Sequence, residues 1–407
     1  MRPFTSTISL DEARRRLDAT VRPISRTENI ALADAAGRVA AADVRSLIDV
    51  PPFIRALMDG YAVVAADTAA ATAASPARLR LVDRIYTGEV SRVTIGPGTC
   101  AEIATGAPLP AGADAVVMVE QTAAEGDLIQ IKGPSTPGAN VGRRGSDIMT
   151  GDPVVHAGDV LTPSRIGALA ATGCATVAVF AKPAVAILST GNEVVQPGRP
   201  LLSSQIYDVN RFTLSAITQA HGGAPLPHIP VGDTLAALTG ALDTCRESDL
   251  IVFSGGSSVG NRDLVTDLVD AHGRMIFHGI AIRPGKPTAF AMLNLTGEER
   301  GTPFFGMPGN PTSCLSNAYL LLIPFLRSLA RLPAHTPRTV NAPLGRRVTS
   351  SVGRRQFYTV RVENGVAFPA FKGSGDITSL SQADGYFEIA EDEESIDEGT
   401  VVTVTLF

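Results

Sequence analysis

Asp249-Leu-Ile-Val-Phe-Ser-Gly-Gly-Ser-Ser-Val-Gly-Asn-Arg-Asp263 is the stretch whose reading decides the fold. Residues 250–253 are a short, wholly apolar run of the length a buried strand needs. Residues 254–260 then carry three glycines and three serines. From Asp263 onward, Leu264, Val265, Leu268 and Val269 fall on one helical face. A strand, a glycine-rich turn and a helix start together make an anion site. The glycines let backbone N–H groups approach a phosphate, and the helix terminus adds partial positive charge. Asp263 at the rim offers oxygen ligands for Mg²⁺. An ordinary tight βα turn has the same composition, and this stretch alone leaves both readings open.

Working outward, apolar strands at 184–188, 226–231, 250–253 and 303–306 alternate with helical patterns at 211–220, 234–246, 263–271 and 312–330. That alternation predicts a parallel sheet with helices on both faces. Such sheets bind ligands at the carboxyl ends of their strands. The polar loops fall there: Ser189-Thr-Gly-Asn-Glu193, Gly232-Asp233, residues 254–263, and Gly309-Asn-Pro311. In the last, Asn310 suits an N-cap and Pro311 the first helical position. Pro324 should kink the helix that follows. Upstream, residues 9–19 read as a helix capped by Ser9, with Glu12 completing a capping box. Residues 32–44 read as a second, Ala-rich helix interrupted by Gly37. Asp49-Val-Pro-Pro-Phe53 must leave helical geometry. Between Tyr61 and Asp147, short β runs (79–82, 115–119, 128–131) alternate with Gly/Pro turns, and Thr105-Gly-Ala-Pro-Leu-Pro110 forms a tight loop. Residues 154–179 look mixed, with a helix at 164–171. Past Leu332, β runs at 357–362, 366–371, 386–389 and 401–406 suggest a small barrel or sandwich. The acidic run 388–398 reads as a solvated edge.

Composition narrows the function classes. The 407 residues suit two to four domains, and 44% hydrophobic with 18% charged content suits packed cores. A net charge of −5 argues against general nucleic-acid binding. No apolar run reaches the roughly 18 residues of a membrane helix, and the N-terminus lacks an apolar signal core, so the expected location is the cytoplasm. Cys100, Cys174, Cys245 and Cys314 have neither zinc nor redox spacing and read as reduced core thiols. The histidines show no metal-binding spacing.

Five carboxylates sit beside glycine or at loop ends: Asp59, Asp147, Glu193, Asp233 and Asp263. Singly, each reads as a turn residue or cap, and Asp233 as the N-cap of the helix after it. Together, Glu193, Asp233 and Asp263 lie at strand ends of one sheet, which points to a shared Mg²⁺-phosphate site. Arg283-Pro-Gly-Lys-Pro287 puts two positive groups on a rigid turn. They suit an oxyanion, arginine bidentately and lysine as a point charge, or are two solvated surface charges. Arg354 and Gly373-Ser-Gly375 are weaker candidates. No Ser-His-Asp or Cys-His arrangement supports covalent catalysis.

The motifs, taken in order, resemble the MoeA-type molybdopterin molybdenumtransferases. The matching pieces are Pro51-Pro-Phe-Ile-Arg-Ala-Leu-Met-Asp-Gly-Tyr-Ala62, Thr105-Gly-Ala-Pro-Leu-Pro110, Ser189-Thr-Gly-Asn-Glu193, Tyr207-Asp-Val-Asn210, Ser254-Gly-Gly-Ser-Ser-Val-Gly260, Arg283-Pro-Gly-Lys-Pro287 and Gly306-Met-Pro-Gly-Asn-Pro311. The resemblance runs from about residue 8 to the C-terminus. It implies a multidomain α/β and β fold. A central three-layer α/β domain (1–25 and 180–330), with a mostly parallel sheet, resembles the molybdopterin adenylyltransferases. A mixed domain (26–50 and 148–179), a β-rich domain (51–147) and a C-terminal β-barrel (331–407) complete it.

The resemblance also implies the chemistry: molybdate is incorporated into adenylylated molybdopterin and AMP is released, with Mg²⁺ assisting. Asp59, Thr105, Asp147, Glu193, Asp233 and Asp263 match the family's functional polar positions, and Glu193, Asp233 and Asp263 are the expected metal ligands. Ser254, Gly255, Gly256, Ser258 and Gly260 form the glycine-rich turn. Pro308, Gly309 and Asn310 belong to a second loop. Arg283, Lys286, Ser313, Arg354 and Ser374 match positions resembling a molybdate pocket. The implied assembly is a homodimer with the site shared between subunits. A molybdopterin adenylyltransferase and molybdoenzyme acceptors are the implied partners, with no nucleic acid and no membrane. Several loops depart from the family pattern. Ile54-Arg-Ala-Leu57 replaces Asp-Asn/Arg-Ser-Ala, Gly142-Arg-Arg-Gly-Ser-Asp147 replaces Arg-Arg-Arg-Gly-Glu-Asp, Asn192 stands where aspartate is usual, and Arg283 where lysine is. These departures keep open a non-catalytic molybdopterin-binding scaffold and, further off, an adenylyltransferase.

Overall fold

The computed structural model describes residues 7–226, 231–255, 264–295, 297 and 301–407. The chain divides into two compact units: residues 29–179, and residues up to 28 together with 180–407.

In the larger unit, Ser9 starts α1 (Leu10–Thr20) by accepting the Glu12 amide at 3.2 Å. The Glu12 carboxylate accepts from Arg16 one turn on, at 2.7 Å, a pairing different from the reciprocal bond of a capping box. Strands β1 (Ala184–Ser189), β2 (Ala224–Leu226), β3 (Leu250–Ser254), β4 (Gly273–His278), β5 (Ala289–Leu293) and β6 (Thr302–Met307) form one sheet in the order β2-β1-β3-β6-β5-β4. β2, β1, β3 and β6 run parallel. β5 and β4 join antiparallel, making an edge hairpin that the sequence reading did not contain.

Helices α2 (Asn210–Ala220), α3 (Leu235–Asp243), α4 (Leu264–His272) and α5 (Pro311–Asn317) supply the layers. Side-chain alternation assigns the faces. Val185, Ile187, Leu250, Val252 and Phe305 bury against Leu10, Ala13 and Leu17 of α1 and Leu214 and Ile217 of α2. Ala186, Leu188, Ile251, Phe253 and Phe304 bury against Leu238 and Leu242 of α3 and Leu264, Val265, Leu268 and Val269 of α4. Burial on both faces is why β1, β3 and β6 read as unbroken apolar runs. After α5, Ala318–Leu322 widens into a π-helical turn before Ile323–Leu329. Pro324, with no N–H and a bulky ring, accounts for that break.

His221 ends α2 with its Nδ1 buried and, among the described residues, unpartnered, its ring edge-on to His335 at 5.2 Å. Burial, then the charges of His335 and Arg327, pushes its pKa from 6.5 down to about 4. The unfolded chain therefore takes up a proton that the folded chain refuses. Stability from this group is complete above about pH 6.5 and is lost as pH falls toward 4. The urea midpoint should drop across that window, and His221→Phe should flatten the drop.

The C-terminal strands Thr339–Pro343, Arg355–Glu363, Val366–Pro369, Gly385–Ile389 and Val401–Leu406 pair antiparallel around their own core. A bridge between Leu344 and Ala367 joins the last open edge and closes the barrel. Phe357, Leu380 and Tyr386 leave that core and bury in the α/β core, with Phe357 and Tyr386 stacked at 4.0 Å.

In the smaller unit, a six-stranded sheet runs in the order 115–118, 60–63, 99–103, 77–85, 128–131, 122–125. A separate small core is built from Ala35, Ala40, Val155, Leu161, Leu169, Val177 and Val179 around the helix Pro163–Ala171. The helix expected at 32–44 does not form. Leu32–Asp34 makes one 3₁₀ turn, Gly37 turns the backbone at φ +72°, and Val39 and Ala40 bridge to Val160 and Val179. Strand pairing and a left-handed glycine outweigh the helix propensity of the alanines. All four cysteines are free thiols.

Candidate functional site

A cleft of about 1490 Å³ opens at the carboxyl ends of β1, β3 and β6. Ser189, Ser254 and Met307 stand in register across these strands, so three loops leave the sheet at one level. The pairing continues past the strands: the Thr190 amide donates to the Ser254 carbonyl at 3.0 Å. Gly255 then turns at φ +114°, and a Cβ there would lie 2.5 Å from the Thr190 carbonyl oxygen. Arg283, Pro284, Gly285, Lys286 and Pro287 line another part of the cleft, and the C-terminal barrel contributes Arg354, Lys372, Gly373 and Ser374.

A polar network ties these loops together. Ser189 Oγ donates to Asp208, whose other carboxylate oxygen accepts the Arg211 amide at 3.1 Å. Asn210 Nδ2 donates to Ser254 Oγ and to the Gly309 carbonyl, both at 2.7 Å. Asp233 accepts from Thr190 Oγ1 at 3.1 Å. Asp233 is not the cap it was expected to be. Thr234 caps α3, accepting the Ala237 amide at 3.2 Å, which leaves the Asp233 carboxylate in the cleft wall. Asn310 occupies the cap position of α5, but its side chain donates to Ser374 Oγ at 3.1 Å. Thr312 strengthens that junction through Ser374 O and Asp376 O, at 3.1 and 2.8 Å. Arg283 Nη1 donates to Ser351 Oγ at 2.6 Å.

The cleft thus brings together Glu193, Asp233, Ser254, Gly255, Arg283, Lys286, Pro308, Gly309, Asn310, Ser313, Arg354 and Ser374. Gly256, Ser258, Gly260 and Asp263 lie outside the described residues. Among the described residues, no three His, Cys, Asp or Glu side chains are grouped to hold a metal. Asp208, Asn210 and Lys372 also line the cleft and were not assigned from sequence. The signal for the first two was present: an Asp-x-Asn at a helix start, followed by a helix whose other face is apolar.

Asp59, Thr105 and Asp147 belong to the smaller unit. Asp59 Oδ1 accepts the Thr105 amide at 2.7 Å and its hydroxyl at 2.9 Å, and these bonds hold the carboxyl below the usual carboxylate range. It lines a small hollow of about 160 Å³ with Arg84, Tyr86 and Glu102. The Asp147 amide donates to the Val50 carbonyl at 3.0 Å. Asp59→Ala should free the loop at Thr105, speeding exchange of its amide hydrogen about tenfold with little change in melting temperature.

Comparison with known proteins places this arrangement. Family models match in sequence order: the MoeA N-terminal region (domains I and II) over residues 8–173, a probable molybdopterin binding domain over 186–328, and the MoeA C-terminal region (domain IV) over 341–407. Molybdopterin molybdenumtransferase 2 of Mycobacterium tuberculosis is 34% identical over 394 residues, covering 94% of this chain and 95% of its own. The chain belongs to the MoeA family. This MoeA-family chain is also 31% identical to the molybdopterin molybdenumtransferase of Haemophilus influenzae, with 98% of each chain covered. A crystal structure of the molybdopterin biosynthesis MoeA protein from Pyrococcus horikosii superposes with a TM-score of 0.82 at 40% identity, covering 98% of this chain and 99% of that one. Among the described residues of this MoeA-family chain, no helix is long and apolar enough to cross a membrane.

Proposed function

We propose that the cleft of the larger unit binds adenylylated molybdopterin together with molybdate, and that molybdenum is inserted there with release of AMP. The chain is a transferase with a role in molybdenum cofactor biosynthesis. The observation carrying this proposal is that one cleft holds both carboxylates, Glu193 and Asp233, and cations, Arg283 and Lys286. A tetrahedral dianion calls for guanidinium, ammonium and hydroxyl donors, and Arg283, Lys286, Ser313, Arg354 and Ser374 supply them. A phosphoanhydride calls for backbone N–H groups at a glycine turn, and Gly255 and Gly309 border that space.

Glu193 and Asp233 suit Mg²⁺, which takes one or two carboxylates and fills its other positions with water and phosphate oxygens. When bound, Mg²⁺ would neutralise charge on the phosphates. Thr190 orients Asp233 for that task through its hydroxyl. We further propose the four-domain division set out from sequence, a cytoplasmic homodimer, and Asp59, Thr105 and Asp147 completing the site of the partner subunit. The exposed Ile54, Leu57 and Met58 beside Asp59 support a protein contact on that face.

The deciding experiment mixes the chain with adenylylated molybdopterin, Mg²⁺ and molybdate. It follows AMP release and reconstitution of a cofactor-free molybdoenzyme. Both products are expected. Tight pterin binding with neither product would overturn insertion in favour of a carrier role.

A further inference from the structure

Arg283 and Lys286 share a short turn, and their usefulness to an anion depends on what fixes that turn. One anchor is β pairing: Ile282–Arg283 runs parallel to Arg355 and Gln356 of the barrel, and the Arg355 amide donates to the Ala281 carbonyl at 2.9 Å. The other anchor comes from beneath. Asn317, the last residue of α5, is fully buried and does not line the cleft. Its Nδ2 donates to the Gly285 carbonyl at 2.9 Å and to the Thr288 hydroxyl. Thr288 Oγ1 donates to the same carbonyl at 2.9 Å, closing a triangle. Gly285 sits at φ +107°, where a Cβ would lie 2.3 Å from the Asn317 amide nitrogen. Glycine is what lets the amide reach the carbonyl.

Asn317 carries a cost. Among the described residues its Oδ1 is buried without a partner, and an unsatisfied buried acceptor opposes folding. The chain on either side of Asn317 buries Cys314, Ala318, Leu320 and Leu321 in the α/β core, where a polar atom without a partner costs more than an apolar one. A polar group that burdens the core while gripping the mid-point of a cationic turn marks a functional constraint.

We infer that Asn317 is a positioning residue for the oxyanion: by pinning the Gly285 carbonyl, it sets where Arg283 and Lys286 meet molybdate. This rests on the reading that the turn receives the oxyanion. The test uses the full chain and its Asn317→Leu, Asn317→Thr and Thr288→Val variants. It measures the KM for molybdate, the KM for adenylylated molybdopterin, molybdate binding by calorimetry, and thermal stability. Asn317→Leu should raise the molybdate KM and Kd about tenfold, the effect of letting a charged group slip out of register with its anion. The pterin KM should stay unchanged even where the melting temperature falls, since a methyl group stands where the amide had met the Gly285 carbonyl at 2.9 Å. Asn317→Thr keeps one donor and should recover part of the loss. Thr288→Val breaks the same triangle and carries the same expectation should Asn317→Leu fail to fold. An unchanged molybdate KM, or equal losses for both substrates, would overturn the inference. AMP release by the parent chain that does not depend on molybdate would instead sink the reading of the turn on which it rests.

Discussion

Gly255→Val should leave a chain with a clearly lowered denaturation midpoint and no molybdenum insertion, whereas Gly309→Ala should fold as well as the parent. At Gly255 two penalties combine. The backbone sits at φ +114°, where an L side chain costs about 1–3 kcal/mol. A Cβ would also lie 2.5 Å from the Thr190 carbonyl oxygen and 2.8 Å from its methyl group. Those atoms cannot yield easily, because the Thr190 amide is bonded to Ser254 and its hydroxyl to Asp233. Overpacking of this kind adds about 1–3 kcal/mol. Relief would require β1 and β3 to part at their carboxyl ends, where Glu193 and Asp233 stand on one loop system and Ser254 on the other. Loss of activity should therefore accompany loss of stability. Gly309 faces the same cleft with no such conflict. Among the described residues, a Cβ there meets only the Gly255 Cα at 3.5 Å, an ordinary contact, and its φ is not in the left-handed region. Urea titration of both variants decides the matter, and equal destabilisation would contradict the geometry. A stable Gly309→Ala chain with weakened pterin binding would mark where ligand approaches the backbone.

Strands β1, β3 and β6 were legible because they are buried on both faces and written as apolar runs such as Leu250-Ile-Val-Phe253; of the strand expected at 226–231, residues 227–230 lie outside the described residues, and β2 ends at Leu226. The antiparallel edge was not legible. Gly273–His278 follows α4 with no intervening turn, so no punctuation separates helix from strand. Ala289-Phe-Ala-Met-Leu293 has a composition that fits helix or strand equally, and only its ladder to β6 settles it. The cleft residues carried by loops were legible as residue types: carboxylates at strand ends and cations between prolines. Their support was not. Asn317 is 32 residues from Gly285, and its bond to that carbonyl exists only once α5 has packed beneath the turn. Asp233 was misread as a cap because local chemistry offers Asp233 and Thr234 equally. The helix takes Thr234, whose hydroxyl accepts the Ala237 amide.

Removing the two cations should have the largest effect on anion use with the smallest effect on folding. Lys286→Ala is expected to raise the molybdate KM about 10- to 100-fold, the range for removing one charge-assisted hydrogen bond from a partly desolvated site. Arg283→Ala should do the same. Arg283 is exposed, so its removal leaves no core cavity; among the described residues, the hydrogen bond given up is that to Ser351. Arg283→Lys keeps the charge but not the planar fork, and should recover only part of the loss. The double variant should show little molybdate-dependent AMP release at any accessible concentration. Three controls separate this from general damage. The melting temperature should stay within a few degrees of the parent, because neither side chain belongs to a hydrophobic core. The KM for adenylylated molybdopterin should move little, since its phosphates are assigned to the glycine turns. The parent's molybdate KM should rise with salt, and the rise should shrink in the double variant, because attraction between an exposed cation and a dianion is what salt screens. A double variant that still saturates with molybdate at the parental concentration would place the oxyanion elsewhere in the cleft, with Arg354 the next group to remove.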